Sequence, residues 1–164
     1  MTSPTSNKRV AADTGPLIAL ARVRLLDLLP ALFERVVLPP MVLSECVARP
    51  DRGEGELVRA AIDAGWLEVL APRGEPPVWG IDPGETSALL LAQETGARLL
   101  IDDKAGRSVA NRLGVVVIGS VGVLVLAKRR GLLTSVRPAL DHLSASGYYL
   151  SESVVADTLR LAGE

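Results

Sequence analysis

A chain of 164 residues, 48% hydrophobic, has enough apolar sequence for one packed core and too little length for two. Its 18 Lys and Arg against 19 Asp and Glu leave a net charge of -1, so any surface for nucleic acid must be local rather than a global basic field. The single Cys46 excludes an internal disulfide framework and a multi-cysteine zinc site and fits a cytoplasmic protein, while the single His142 excludes the usual histidine-rich metal sites.

Residues 1–8 are polar, lack the apolar core of a signal peptide, and read as a short disordered leader to a single domain over 9–164. A buried-type strand over 9–12 is followed by a helix over 17–29, entered through Pro16. A second strand over 35–38 leads through Pro39 and Pro40 into a helix over 41–48, and another helix over 55–64 stops at Gly65. The strand over 67–70 opens onto the one long connection, rich in Pro and Gly and carrying Trp79, which ends at Pro83. A helix over 85–95 stops at Gly96, a strand covers 98–101, a helix over 105–113 stops at Gly114, and a last strand covers 115–118. Helices over 121–130 and 136–145 follow, then a tail from Tyr148 expected to be helical to Leu161. Short Val-, Ile- and Leu-rich strands alternating with helices predict an α/β fold, a three-layer α/β/α sandwich around a mostly parallel sheet. The longest uncharged stretch, 113–127, is interrupted by Gly114, Gly119 and Gly122 and falls short of the ~20 apolar residues of a membrane span.

Carboxylates recur where these strands end. Asp13 closes the first, Asp102 and Asp103 close the fourth, and Glu45 and Glu85 lie early on helices that start at the same edge. Each has a modest explanation as well. Asp13 is placed to cap the first helix, Glu85 stands three residues after Asp82 at capping-box spacing, and one of Asp102 and Asp103 is expected to cap the helix that follows, leaving the other without a capping role. Glu45 alone would be an ordinary surface residue. Together they are expected to converge at the carboxyl ends of a parallel sheet, where mutually repelling acids in a partly dry cleft favour a hard divalent cation, Mg²⁺ or Mn²⁺. Such a site can activate water for phosphodiester hydrolysis.

The segments Ala12-Asp13-Thr14-Gly15-Pro16, Leu38-Pro39-Pro40 with Glu45, Pro83-Gly84-Glu85-Thr86, Ile101-Asp102-Asp103-Lys104-Ala105-Gly106-Arg107 and Ile118-Gly119-Ser120-Val121-Gly122 together resemble the PIN-domain family, most closely its VapC-like toxin side. The resemblance runs from about Arg9 to the end of the chain. It implies a metal-dependent endoribonuclease, the toxin of a toxin–antitoxin pair, held inactive by a small antitoxin and forming a homodimer. On it, Asp13, Glu45, Glu85 and Asp103 match the four acids in order, with Asp102 auxiliary; Asp13, Glu85, Asp102 and Asp103 would hold the metal. Thr14 matches a hydroxyl that follows the first acid, and Ser120 stands where the family is expected to carry Thr. Glu85 departs from the Asp that many members carry at the third acid.

Lys104 and Arg107, one turn apart after the acidic strand end, are the candidates for holding RNA phosphates, or else ordinary solvated charges on a helix. Lys128, Arg129 and Arg130 are better explained by the dipole at a helix end. The Gly119-Ser120-Val121-Gly122 turn lacks the spacing of a phosphate-binding loop, and Cys46 has no nearby His to activate it. Leucines between 17 and 32 offer a dimer or antitoxin contact, or else simply the face of a helix packed on the sheet. The alternative function is a catalytically silent PIN-like module that binds RNA or protein. A phosphatase on small substrates ranks below both, because no Asp-x-Asp nucleophile pattern follows the first strand.

Overall fold

The computed structural model describes residues 8–48 and 53–164. Among them, five strands, β1 (Arg9–Ala12), β2 (Arg35–Leu38), β3 (Leu67–Val69), β4 (Arg98–Leu100) and β5 (Val117–Ile118), form one sheet in the order β3-β2-β1-β4-β5. Every pairing is parallel, with Ala11 opposite Val37 on one side and Leu99 on the other. The helices are α1 (Thr14–Arg22), α2 (Leu28–Leu32), α3 (Pro40–Ala48), α4 (Glu54–Asp63), α5 (Pro83–Thr95), α6 (Lys104–Arg112), α7 (Ser120–Arg129), α8 (Arg137–Ala145) and α9 (Glu152–Leu161). The leader expected over 1–8 lies outside the described residues apart from Lys8.

Strand composition explains strand position. β1 is central, and Val10, Ala11 and Ala12 have no exposed surface; β3 lies at an edge, and of its residues only Leu67 is buried. A strand covered on both faces can carry no polar side chain without a partner, which is why β1 reads as a continuous small apolar run. Its first residue and those of β2 and β4 are arginines at the opposite, amino edge. The buried apolar side chains of strands and helices form one cluster, and the Arg22 guanidinium meets the buried Glu54 at 3.0 Å to tie α1 to α4.

From β1 the chain steps outward through β2 to β3, then returns to the far side of β1 for β4 and continues to β5. The boundary between β1 and β4 is therefore where the winding reverses, the place at which parallel α/β sheets open a crevice beyond their carboxyl ends. The Asp13 N–H donates to the Leu100 carbonyl at 2.9 Å and carries the pairing one residue past β1, to that crevice.

The helix expected over 17–29 is two helices. Arg24 has φ +60°, its N–H donates to Ala21, and the Leu25 N–H donates to Leu20 five residues back. This is a Schellman closure, with arginine in the left-handed position usually held by glycine, so no sequence signal marks the break. Most apolar residues from Leu17 to Leu32 are turned into the core, with Leu17, Leu20 and Leu29 fully buried, Leu25 half-buried and Ala31 exposed. The last helix begins at Glu152, capped by the Ser151 hydroxyl accepting from the Val154 N–H at 3.2 Å, rather than at Tyr148. Gly65, Gly96, Gly114 and Gly131 all adopt positive φ where helices were expected to stop. No helix among the described residues is long and apolar enough to cross a membrane.

Candidate active site

A cleft of about 600 Å³ opens at the β1–β4 crevice, and Asp13, Glu45, Asp82, Glu85, Asp102 and Asp103 line it together with Thr14 and Gly15. All the acids singled out from the sequence meet there. They arrive from the ends of β1 and β4 and from the first turns or body of α3 and α5.

Asp13 occupies the N-cap position of α1 with extended backbone, yet its side chain makes no cap hydrogen bond, so capping does not account for it. Buried to 6% exposure, the carboxyl is pushed up to about 7, chiefly by loss of water, with the Thr14 amide pulling the other way and Asp82, Glu45 and Asp102 adding repulsion. Thr14, also buried, donates its hydroxyl to Glu45 Oε2 at 2.5 Å and so fixes a carboxylate that α3 alone would leave mobile. Glu85 is likewise pushed up to about 7, first by burial and then by Asp82, Asp103 and Asp13. The capping box expected here is present in half: Asp82 Oδ1 accepts the Glu85 N–H at 2.8 Å. The Glu85 carboxyl instead faces the neighbouring acids.

The pair at the end of β4 divides its work. Asp103, exposed, caps α6 by accepting the Gly106 N–H at 2.9 Å. Asp102 also has a capping role, contrary to the expectation that one of the two would have none. Its Oδ1 accepts the Ser120 N–H, the first of α7, at 2.7 Å, and its Oδ2 accepts the Ser120 hydroxyl at 2.9 Å. The reason is tertiary. β4 and β5 are neighbours, so the acid ending one strand lies beside the helix N-terminus that follows the other. Ser120, named from the resemblance, is thus the partner of Asp102, itself buried to 1% exposure.

Three features of the site were not legible from sequence as site features. Asp82 stands out only as a helix cap in the sequence, but after burial it is the strongest repelling charge on both Asp13 and Glu85. Tyr148 donates its hydroxyl to Asp102 Oδ2, and burial beside that carboxylate pushes the phenol pKa well up. Nothing near Tyr148 in the sequence signals this, since the two residues stand 46 positions apart. Finally, Gly84 and Gly119 are close-approach positions. A Cβ on Gly84 would land on the Glu45 carboxylate, and one on Gly119 would come within 2.9 Å of Asp102 Oδ1.

Among the described residues no Lys or Arg forms an ion pair with any of these acids. Nor do any three Asp, Glu, His or Cys side chains stand as a preformed metal cage. The donor chemistry nevertheless fits a hard divalent cation: the side chains offered are all oxygen donors, and two of them are pushed up to about 7, first by burial and then by the neighbouring acids. Lys104 is exposed and Arg107 partly so, and both line a second cavity that shares Asp102 with the first. By contrast Lys128 reaches Glu164 at 3.1 Å, while Arg129 and Arg130 donate to the Leu161 and Leu32 carbonyls, so that basic run is spent within the chain. Cys46 is buried, and His142 is exposed on α8.

Comparison with known families agrees with this arrangement. Residues 9–164 match the model of the family described as DUF3368, PIN domain. No curated protein matches the chain.

Proposed function

The chain belongs to the PIN-domain family, and from that premise we propose that it is an Mg²⁺- or Mn²⁺-dependent endoribonuclease hydrolysing RNA phosphodiester bonds. One observation carries the proposal: carboxylates without cationic partners surround a single cleft at the β1–β4 reversal, two of them pushed up to about 7.

In this reading Asp13, Glu85, Asp102 and Asp103 would hold the ion. When bound, it supplies Lewis-acid stabilisation of charge developing on the phosphate and lowers the pKa of water. The protein's own groups do the rest. Thr14 orients Glu45 through Oε2 and leaves Oε1 as a proton acceptor. Ser120 and Tyr148 hold Asp102 in one rotamer. Lys104 and Arg107 would take the phosphate oxygens beside the cleft. The finer role, a toxin restrained by a small antitoxin and paired as a homodimer, rests on the resemblance to the VapC-like side of the family.

A catalytically silent module is the second reading, and one observation favours it: Asp102 and Asp103 each hold a helix N-terminus, so both have structural work. Calorimetric titration with Mn²⁺ and an RNA cleavage assay under the same conditions separate the two, using wild type, Asp13→Asn and Asp13→Asn with Asp103→Asn. The nuclease reading expects wild type to bind and cleave, and Asp13→Asn to lose more than the ~10- to 100-fold typical of removing an outer partner of a metal ligand. Binding without cleavage in wild type makes the module silent, and no binding returns the acids to holding helices.

A further inference from the structure

The cavity on the far side of Asp102, about 450 Å³, is lined by Lys104, Arg107, Ser108, Asn111 and Arg112. These residues come from α6, at spacings of three, four, seven and eight from Lys104, which puts them along one face of the helix. The opposite face is buried through Gly106, Val109 and Ala110. The lining face runs ~12 Å at the rise of an α-helix. Its amino end is Asp103, the cap residue at the acidic cleft, so the face begins at the cleft and leads away from it.

The charges on this face are uncommitted. No ion pair among the described residues involves Lys104, Arg107 or Arg112, whereas Lys8, Arg22, Arg35, Lys128 and Arg160 all have acidic partners. Arg107 is aimed back at the cleft: a Cβ on Gly119 would meet its terminal nitrogen at 3.3 Å and Asp102 Oδ1 at 2.9 Å, so the guanidinium and the carboxylate flank the same glycine. Three such cations with two neutral donors between them, in a groove continuous with an acidic cleft, suit a polyanion that presents one phosphate to the acids and the next ones to the helix.

The geometry points to the α6 face as an RNA backbone track, on which Ser108, Asn111 and Arg112 extend the reach of Lys104 and Arg107 to the phosphates that flank the one in the acidic cleft; this rests on the nuclease reading. A stacked strand carries a phosphate about every 3.4 Å, so the track spans more than one. Neither cavity has an aromatic wall, so base stacking gives no sequence preference here and the track reads the backbone alone.

Fluorescence anisotropy of a labelled 12-nucleotide oligouridylate, measured in EDTA across a salt series, tests this. Wild type is compared with Lys104→Gln/Arg112→Gln and with Arg59→Gln/Arg160→Gln, which removes the same charge from exposed positions elsewhere. The track variant is expected to bind about tenfold more weakly and to lower the slope of log K against log salt by ~1.4, or ~0.7 for each phosphate no longer neutralised, with the control unchanged. Thermal melting of each variant checks that the fold is intact, and Lys104→Gln alone, expected to lower the slope by half as much, serves if the double variant melts early. A track variant that matches the control overturns the proposal, and if wild type still cleaves RNA with Mn²⁺ the nuclease reading survives it. A wild type that neither binds nor cleaves RNA overturns the nuclease reading and the track with it.

Discussion

At the amino edge of the sheet Lys8 reaches Glu34 at 2.6 Å and Arg35 grips Glu68 through two nitrogens at 3.0 Å, whereas at the carboxyl edge the acids lack any such partner among the described residues. Two carboxylates at helix N-termini make the contrast sharper. Glu164 accepts from the Ser135 hydroxyl and from the Val136 N–H at 2.7 Å in front of α8, meets Lys128 at 3.1 Å, and is pulled down to about 2. Asp13, in the N-cap position of α1, makes no cap bond and is pushed up to about 7. Position at a helix end is common to both; what differs is whether the surroundings satisfy the charge.

The largest test of this contrast is at Asp13. Its folded pKa lies above its unfolded one, so above pH 7 the folded state carries an unfavourable anion. As pH falls from 7 towards 4 the folded state takes up a proton the unfolded state does not, and stability rises by at most about 1.4 kcal/mol per pH unit from this group. Urea unfolding in EDTA should show wild type gaining stability over that window. Asp13→Asn should be the more stable protein at pH 8, with the advantage fading by pH 4. A flat wild-type profile would remove the claim that the acids at this edge are strained.

A smaller effect is expected at Tyr148. Tyr148→Phe keeps the ring and removes the hydroxyl that holds Asp102, so Mn²⁺ affinity should fall by about 10- to 100-fold, as when an outer partner of a metal ligand is removed. Calorimetry reads this directly, and unchanged affinity would leave Tyr148 a packing residue. The smallest effect belongs to the satisfied edge. Glu68→Gln breaks an exposed pair between β2 and β3 and should cost about 0.2–1 kcal/mol in thermal unfolding. A loss of several kcal/mol there would erase the distinction between the two edges.

Much of this was legible in the sequence, for identifiable reasons. The central strands were legible because burial on both faces forces continuous apolar runs, and Asp13, Glu45, Glu85, Asp102 and Asp103 stood out because parallel strands end at one edge. What escaped depended on tertiary neighbours that no local pattern encodes. The break after Arg22 was hidden because Arg24 takes a backbone conformation that normally announces itself as glycine. The second role of Asp102 required knowing that β5 lies beside β4, and Tyr148 reaches the site only after α8 turns the chain back at Gly147, φ +88°. Asp82 was visible as a cap, and its second effect, on the charge of its neighbours, emerges only in three dimensions.

The glycines beside the acids carry a consequence for reading kindred sequences. At Gly84 and Gly119 the nearest atoms a methyl group would meet are carboxylate oxygens of Glu45 and Asp102, the movable ends of side chains rather than backbone. An alanine at either place would press on an acid while leaving every acid in the sequence intact. A search that scores only the acids would not see the change, because what it alters is the room each acid has rather than its presence.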